Sequence, residues 1–453
     1  MKKQTPFDLY LLQPIRKFLD AKLLSSGLLL LATITALIWA NSAYAASYFA
    51  LWKTEVSFQI GNFVLSDTLG HWINDGLMVI FFFVIGLEIK REFMVGELSS
   101  FKKASLPMLA ALGGMVVPAI FYIILNAGTD SISGWGIPMA TDIAFALGAL
   151  MLLGNRVPLA LKVFLLALAV VDDLGAILVI AIFYTEQIST ASLITAFVFL
   201  GISLVLNAMG VRRTWPYALL GLFLWLAFLQ SGVHATIAGV LMAFTIPSRA
   251  KIGAEEFKNE TYYLLEQFPE KEFQIMCTDE NQYRTIEELK YLLNKINTPL
   301  QRLEHALQPV ASYFIIPVFA LANAGVNFTS SEANIDFLNP ITLGIILGLV
   351  VGKQLGITLF SYLGVKAGIA FLPSGITFKH IYGVSCLAGI GFTMSLFITN
   401  LAFVNPVYIE EAKIGILSAS LLSAIIGIIT LSLTTDKECT DEKVCLMENT
   451  GNH

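Results

Sequence analysis

The chain has 453 residues, 56% of them hydrophobic and 13% charged, with a mean hydropathy of +0.73 and a formal net charge of −5. A soluble globular chain carries about 25% charged residues, so composition excludes an ordinary water-soluble domain, and there is no basic surface of the kind that binds nucleic acid. The four cysteines, Cys277, Cys386, Cys439 and Cys445, give neither a disulfide framework nor metal-ligand spacing, and no cofactor is expected.

At the start, Lys2, Lys3, Arg16, Lys17 and Lys22 precede an apolar stretch from Leu23 to Ala40, and Ala43-Tyr44-Ala45 has the form of a cleavage site. The basic region is long, the apolar stretch is long enough to span, and further membrane segments follow at once. It is read as an uncleaved first helix. From there the hydrophobic runs predict twelve spans, near 23–42, 70–90, 104–126, 135–154, 158–184, 189–209, 214–229, 231–247, 306–327, 340–364, 377–404 and 410–434. Most come close to the roughly 20 residues that cross a bilayer core as a helix. The seventh and eighth are divided only by Gln230 and Ser231.

Between the first two spans, residues 56–65 pair β-favouring stretches around Gly61-Asn62, which predicts a hairpin. Between the eighth and ninth, a long mixed-charge loop, 247–305, includes Ile286, Leu289, Leu292, Leu293 and Ile296 at helical spacing. One amphipathic helix within a solvated linker is expected there, rather than a binding domain. The expected organisation is a twelve-span domain over 1–434 and a polar cytoplasmic tail over 435–453.

Charge in the loops orients the chain. With the N-terminus inside, Lys90, Arg91, Lys102, Lys103, Arg156, Arg212, Arg213, Lys366 and Lys379 all become cytoplasmic. The outside loops then hold only Lys53 and Lys413 as basic residues, beside acidic ones such as Glu55, Asp67, Glu186, Glu332 and Asp336. Lysine and arginine belong inside, so an even number of spans with both termini cytoplasmic is expected.

Ionisable side chains within the spans are costly and mark function. Asp172 and Asp173 lie midway along span five. Two adjacent carboxylates at bilayer depth do not both stay ionised without a cation, and they are expected to titrate as a coupled unit. Such a pair suits exchange of protons for a hard cation that prefers oxygen ligands. Asp142 follows Gly136 and Pro138 in span four, and Gly389-Ile-Gly391 interrupts span eleven. Discontinuous helices in corresponding positions of two halves point to a transporter's binding site, and spans three to five and ten to twelve make the paired units. The half-helix ends would carry partial charges, which Asp142 offsets at N-termini; Lys353, midway along span ten, offsets C-termini or pairs with Asp173.

At the cytoplasmic end of span two, Glu88, Arg91 and Glu92 share a helix face, either as a surface cluster or as a funnel that gathers cations. Asp75 lies nearer the outer side. His234 is read as a structural histidine, whereas His305, beside Glu304 at the cytoplasmic entry to span nine, is placed to titrate near physiological pH.

Taken together, Gly86-Leu-Glu-Ile-Lys-Arg-Glu92, Ala140-Thr-Asp-Ile-Ala-Phe-Ala-Leu-Gly148, Val170-Val-Asp-Asp-Leu-Gly-Ala176, Ser231-Gly-Val-His-Ala-Thr236 and Gly389-Ile-Gly-Phe-Thr-Met-Ser395 resemble the NhaA family of Na+/H+ antiporters, over nearly all of residues 7–434. The resemblance implies an all-α fold of twelve spans with inverted-topology repeats and two crossing discontinuous helices, spans four and eleven. It implies electrogenic exchange in a bacterial inner membrane, more H+ entering than Na+ leaving, with Li+ as an alternative cargo. It places ion binding on Asp172 and Asp173 with Thr141 and Asp142 nearby, and makes Lys353 the partner of the second aspartate and a proton carrier. It associates Glu88, Arg91, Glu92, Glu304 and His305 with pH activation, and the hairpin with a homodimer contact. Gln308 stands where a second histidine occurs in a well-known member, and the loop before span nine is longer and more acidic, which bears on the pH setting. Two other readings compete: a Na+-coupled solute symporter, which needs a wider polar cavity, and an intramembrane aspartyl protease using Asp142 and Asp173, which needs no Lys353. A transporter, not an enzyme, is expected.

Overall fold

The computed structural model describes residues 13–61, 63–185, 189–268, 280–328, 338–373 and 375–434. The basic residues Lys2 and Lys3, the turn residue Asn62, the loop acids Glu186, Glu332 and Asp336, Cys277 and the tail 435–453 lie outside the described residues.

The described chain is mostly helical. Eight helices are long and apolar enough to cross a membrane: Leu23–Ala40, Leu69–Val95, Phe101–Asn126, Leu159–Phe183, Thr190–Ala208, Pro299–Asn323, Pro340–Lys366 and Pro406–Thr434. Two further pairs of apolar helices are bent at a break, Asp130–Met139 with Ile143–Leu152 at 43° and Phe378–Ala388 with Phe392–Ala402 at 48°. The predicted seventh and eighth spans are apolar helices of only 15 and 10 residues, Trp215–Leu229 and Thr236–Thr245, shorter than a helix that crosses the hydrocarbon core alone. Large apolar side chains such as Ile124, Ile182, Val205 and Leu421 face outward, as lipid-facing helices require.

The predicted hairpin is present. Strand β1 (Glu55–Ile60) pairs antiparallel with β2 (Phe63–Thr68), from Glu55 opposite Thr68 to Ile60 opposite Phe63. The two-residue connection needs a left-handed backbone, and Gly61 supplies it with φ of 61°.

By its contacts the chain divides into two compact units. The first comprises Met1–Phe81, Ile89–Glu186 and Val310–His453. Within it, Phe101–Asn126 packs along the helix from Pro340 to Lys366. Gly113 and Gly356 meet so closely that neither has room for a Cβ, and Gly352 lies against the backbone of Pro118. Helices in lipid associate by such close approach of small residues, since no hydrophobic force separates helix from lipid tail. The turn just before Lys353, Gly348–Gly352, is wound as a π-helix, as are Trp72–Leu77 and Ala311–Ile315; such turns occur often at functional sites.

The second unit comprises Phe82–Glu88 and Gln187–Pro309. Gly86 fits against Val240 and Ala243, and Thr245 accepts from the Asn207 amide at 2.7 Å through its carbonyl. The long loop is more than a linker with one helix. Ala254–Glu266 and Glu280–Ile296 enclose a core of Ile252, Leu264 and Leu292, and Lys251 N–H donates to the Lys295 carbonyl at 2.9 Å. The amphipathic stretch had signalled the second helix; its partner shows no comparable run, because Tyr262, Tyr263 and Leu265 on it are exposed.

Candidate functional site

The residues singled out within the spans come together at the two breaks, all within the first unit. Met139 ends one half-helix, and Ala140, Thr141 and Asp142 cross to Ile143, where the next begins. In the other pair Gly389, Ile390 and Gly391 carry the chain from Ala388 to Phe392. Small residues are required here. A Cβ on Gly389 would stand 2.5 Å from the Leu349 carbonyl oxygen. The two breaks bond directly, Asp142 N–H donating to the Ile390 carbonyl at 2.7 Å.

Asp142 serves two helix N-termini at once. Its Oδ1 accepts from Phe145 N–H at 3.0 Å, at the start of Ile143–Leu152. Its Oδ2 accepts from Thr393 N–H at 3.0 Å and from the Thr393 hydroxyl at 2.6 Å, at the start of Phe392–Ala402. Each N-terminus carries about half a positive charge, so one carboxylate balances both. Edge-to-face packing of Phe145 on Phe392, with centroids 5.2 Å apart, covers the junction.

Lys353 reaches one opposite end, through Thr141. Its Nζ donates to Thr141 Oγ1 at 2.8 Å, and the Thr141 hydroxyl donates to the Ala388 carbonyl at 2.9 Å, the C-terminal carbonyl of its half-helix. The same Nζ lies 2.5 Å from Asp172 Oδ2. The resemblance had made the second aspartate the partner; the contact seen at this ammonium is with the first, Asp172. The reason is geometric, because neighbouring residues on a helix point roughly 100° apart, and Asp172 is the one turned toward Lys353.

Lys353 is 0% exposed, Asp172 2% and Asp173 3%. Buried charge at this depth persists only when paired or coordinated. Asp172 Oδ1 is buried and accepts no hydrogen bond among the described residues, while both oxygens of Asp142 are taken up by helix N–H and hydroxyl groups. The donor set suited to a hard cation is therefore the adjacent carboxylate pair, with Asp142 holding the scaffold. Among the described residues no three His, Cys, Asp or Glu side chains gather into a tighter metal site. Thr393 was missed as a site residue; a hydroxyl residue two positions after the Gly391 break, at a helix start, was the available signal.

The residues expected at the cytoplasmic entrance divide between the two units. Arg91 and Glu92, in the first, form an ion pair at 2.9 Å, and Glu92 Oε2 also accepts from Glu97 N–H at 3.0 Å. Glu88, Glu304 and His305 belong to the second; Glu88 and Glu304 are buried, and His305 is exposed. Asp75 lies 2.9 Å from His71 Nε2, with Asp67 3.6 Å from the same nitrogen.

A family model described as Na+/H+ antiporter 1 matches residues 16–431. The chain is 52% identical over 420 residues to the Na(+)/H(+) antiporter NhaA of Oleidesulfovibrio alaskensis, covering 92% of this chain and 93% of that one. It is 51% identical over 435 residues to the protein of the same name from Wolinella succinogenes, covering 95% and 96%. A Helicobacter pylori relative, again of that name, is 49% identical over 419 residues, covering 92% and 94%.

Proposed function

The chain belongs to the Na+/H+ antiporter 1 family, and from that premise we propose that its exchange of Na+ for H+ takes place at Asp172 and Asp173, with Lys353 as a second proton carrier. It is a transporter, not an enzyme. The observation that carries the site assignment is the buried Asp172–Lys353 pair beside Asp173, with Asp142 already committed to two helix ends.

Electrogenic exchange follows from proton counting on these groups. Without Na+, one proton sits on Lys353 in its pair with Asp172, and one sits on Asp173. A Na+ that takes both carboxylates displaces both protons, because the lysine loses the anion that held its charge in a low-dielectric site. Two protons then move for one Na+, and Li+, another hard cation, fits the same oxygen ligands.

The fold that supports this reading is twelve spans with the bent pairs crossing at their breaks, spans seven and eight being the short helices, in a bacterial inner membrane with both termini cytoplasmic. The two bent pairs shift to open the site to one side or the other, and each orientation must differ in its affinity for the ions. Thr141 links Lys353 to the second break. Arg91 and Glu92 in the first unit, and Glu88, Glu304 and His305 in the second, each contribute to the pH response. The hairpin joins two copies, since a two-stranded sheet is marginal alone and its edges invite a partner.

Everted membrane vesicles test the reading. With a proton gradient established and followed by dye quenching, Na+ or Li+ is expected to dissipate it. A gradient untouched by either ion sinks the proposal.

A further inference from the structure

Three asparagines lie together in the first unit. Asn323, the last residue of the Ile316–Asn323 helix, is 7% exposed. Its amide donates to Asn74 Oδ1 at 2.9 Å and to its own Phe319 carbonyl at 3.0 Å, and its Oδ1 accepts from the Asn400 amide at 2.8 Å. Asn74 sits in the π-wound turn Trp72–Leu77, and Asn400 near the end of Phe392–Ala402. Three separate segments are thereby joined through side-chain amides alone.

Thr393, Phe397 and Asn400 fall on one face of Phe392–Ala402, at spacings of four and three. Thr393 holds Asp142. One turn further on, Phe397 packs edge-to-face on Phe319, centroids 6.3 Å apart, with both rings fully buried. One turn beyond that, Asn400 meets Asn323. The face passes from the site, through an aromatic plug, to an amide bracket.

The far side of the bracket is anchored. Tyr48 Oη donates to the Leu321 carbonyl at 2.8 Å and accepts from Gly325 N–H at 3.1 Å, and the Asn41 amide donates to the Val326 carbonyl at 2.7 Å. The Asn400 side belongs to a bent pair that carries the site. The bracket thus ties a bent pair that carries the site to a segment held by Tyr48 and Asn41.

We propose that Asn74, Asn323 and Asn400 are positioning residues forming the outer gate of the exchange path, closed in this structure with the Phe319–Phe397 pair beneath it. Neutral amides suit a gate. Each bond holds the closed state by a factor of only about three, and each amide can be hydrated once the outer side opens, so opening leaves no buried polar group unsatisfied. A charge pair here would lock, and an apolar contact would give no defined register.

This gate rests on the alternating reading above, and the test separates the two. In a background free of native cysteines, Phe397→Cys is labelled with a membrane-impermeant maleimide in right-side-out and in everted vesicles. Asn400→Leu keeps the side-chain volume and removes the bond to Asn323. It is expected to raise labelling from the outer side about threefold to tenfold, with no rise from the cytoplasmic side. A rise of equal size from both sides would mean general loosening, and no rise would mean no gate; either overturns the proposal. If Asn400→Leu fails to insert, Asn74→Leu removes the other bond and decides by the same readout. Na+-driven proton release in the wild-type chain is measured alongside. If it is present while labelling stays unchanged, the gate alone fails; if it is absent, the exchange reading fails first.

Discussion

Asp142, Lys353 and Asp172 divide the electrostatic work, and each assignment has its own consequence. Asp142 meets N–H groups of two helix starts, so Asp142→Ala removes an anion from both. The expected cost is about 2–3 kcal/mol of stability, read as a lower thermal unfolding midpoint in detergent. Asp142→Asn keeps an acceptor for one helix and should lose less. Lys353 is proposed as the second proton carrier; Lys353→Ala removes it, and with water filling the emptied space and keeping Asp172 ionised, one proton is left to exchange for one Na+. Its rate in proteoliposomes is expected to stop responding to an imposed membrane potential, whereas the wild-type rate should respond. An unchanged voltage response in that variant would remove Lys353 from the proton count.

At the scale of elements, the breaks matter more than the helices around them. Gly389 stands too close to the Leu349 carbonyl to carry a Cβ, so Gly389→Ala must push the bent pair away from Lys353's helix. Exchange is expected to fall at least tenfold while the protein still inserts, checked by vesicle transport against expression in the membrane fraction. The hairpin makes a separate prediction. Replacing 55–68 with a short glycine-serine connection should leave exchange intact and convert the purified protein to a monomer by light scattering. A dimer that survives the deletion would assign the contact elsewhere.

For the whole molecule, most of what positions the site was legible in the sequence, because lipid forces backbone bonds inside each helix and leaves few alternatives. Gly136, Pro138 and Gly389-Ile-Gly391 announced two interrupted spans, and both are bent in the structure. The 3₁₀ winding of Asp130–Met139 did not show, since an apolar run reads alike in either helix. Which aspartate faces Lys353 was hidden too, because it depends on helix rotation that packing sets. The aromatic and amide layers above Thr393 were invisible for a related reason: Asn74, Asn323 and Asn400 are distant in sequence and meet only when folded. The helical pair of the long loop was half legible, its core being built from few residues.

Competition between Na+ and protons sets the sign of the pH dependence. If Na+ displaces protons from the pair and the lysine, raising the pH removes its competitors, so apparent Na+ affinity rises with pH. In the range where both protons are held, the limit is about 100-fold per pH unit for two protons and about tenfold for one. The most direct test is proton release itself. Na+ is added to purified protein in weakly buffered detergent solution, and the pH change is recorded for wild type, Asp172→Asn and Asp173→Asn. Release is expected from the wild type and none from Asp172→Asn, with both proteins folded. Undiminished release from Asp172→Asn would contradict the claim that this aspartate is where the ions exchange.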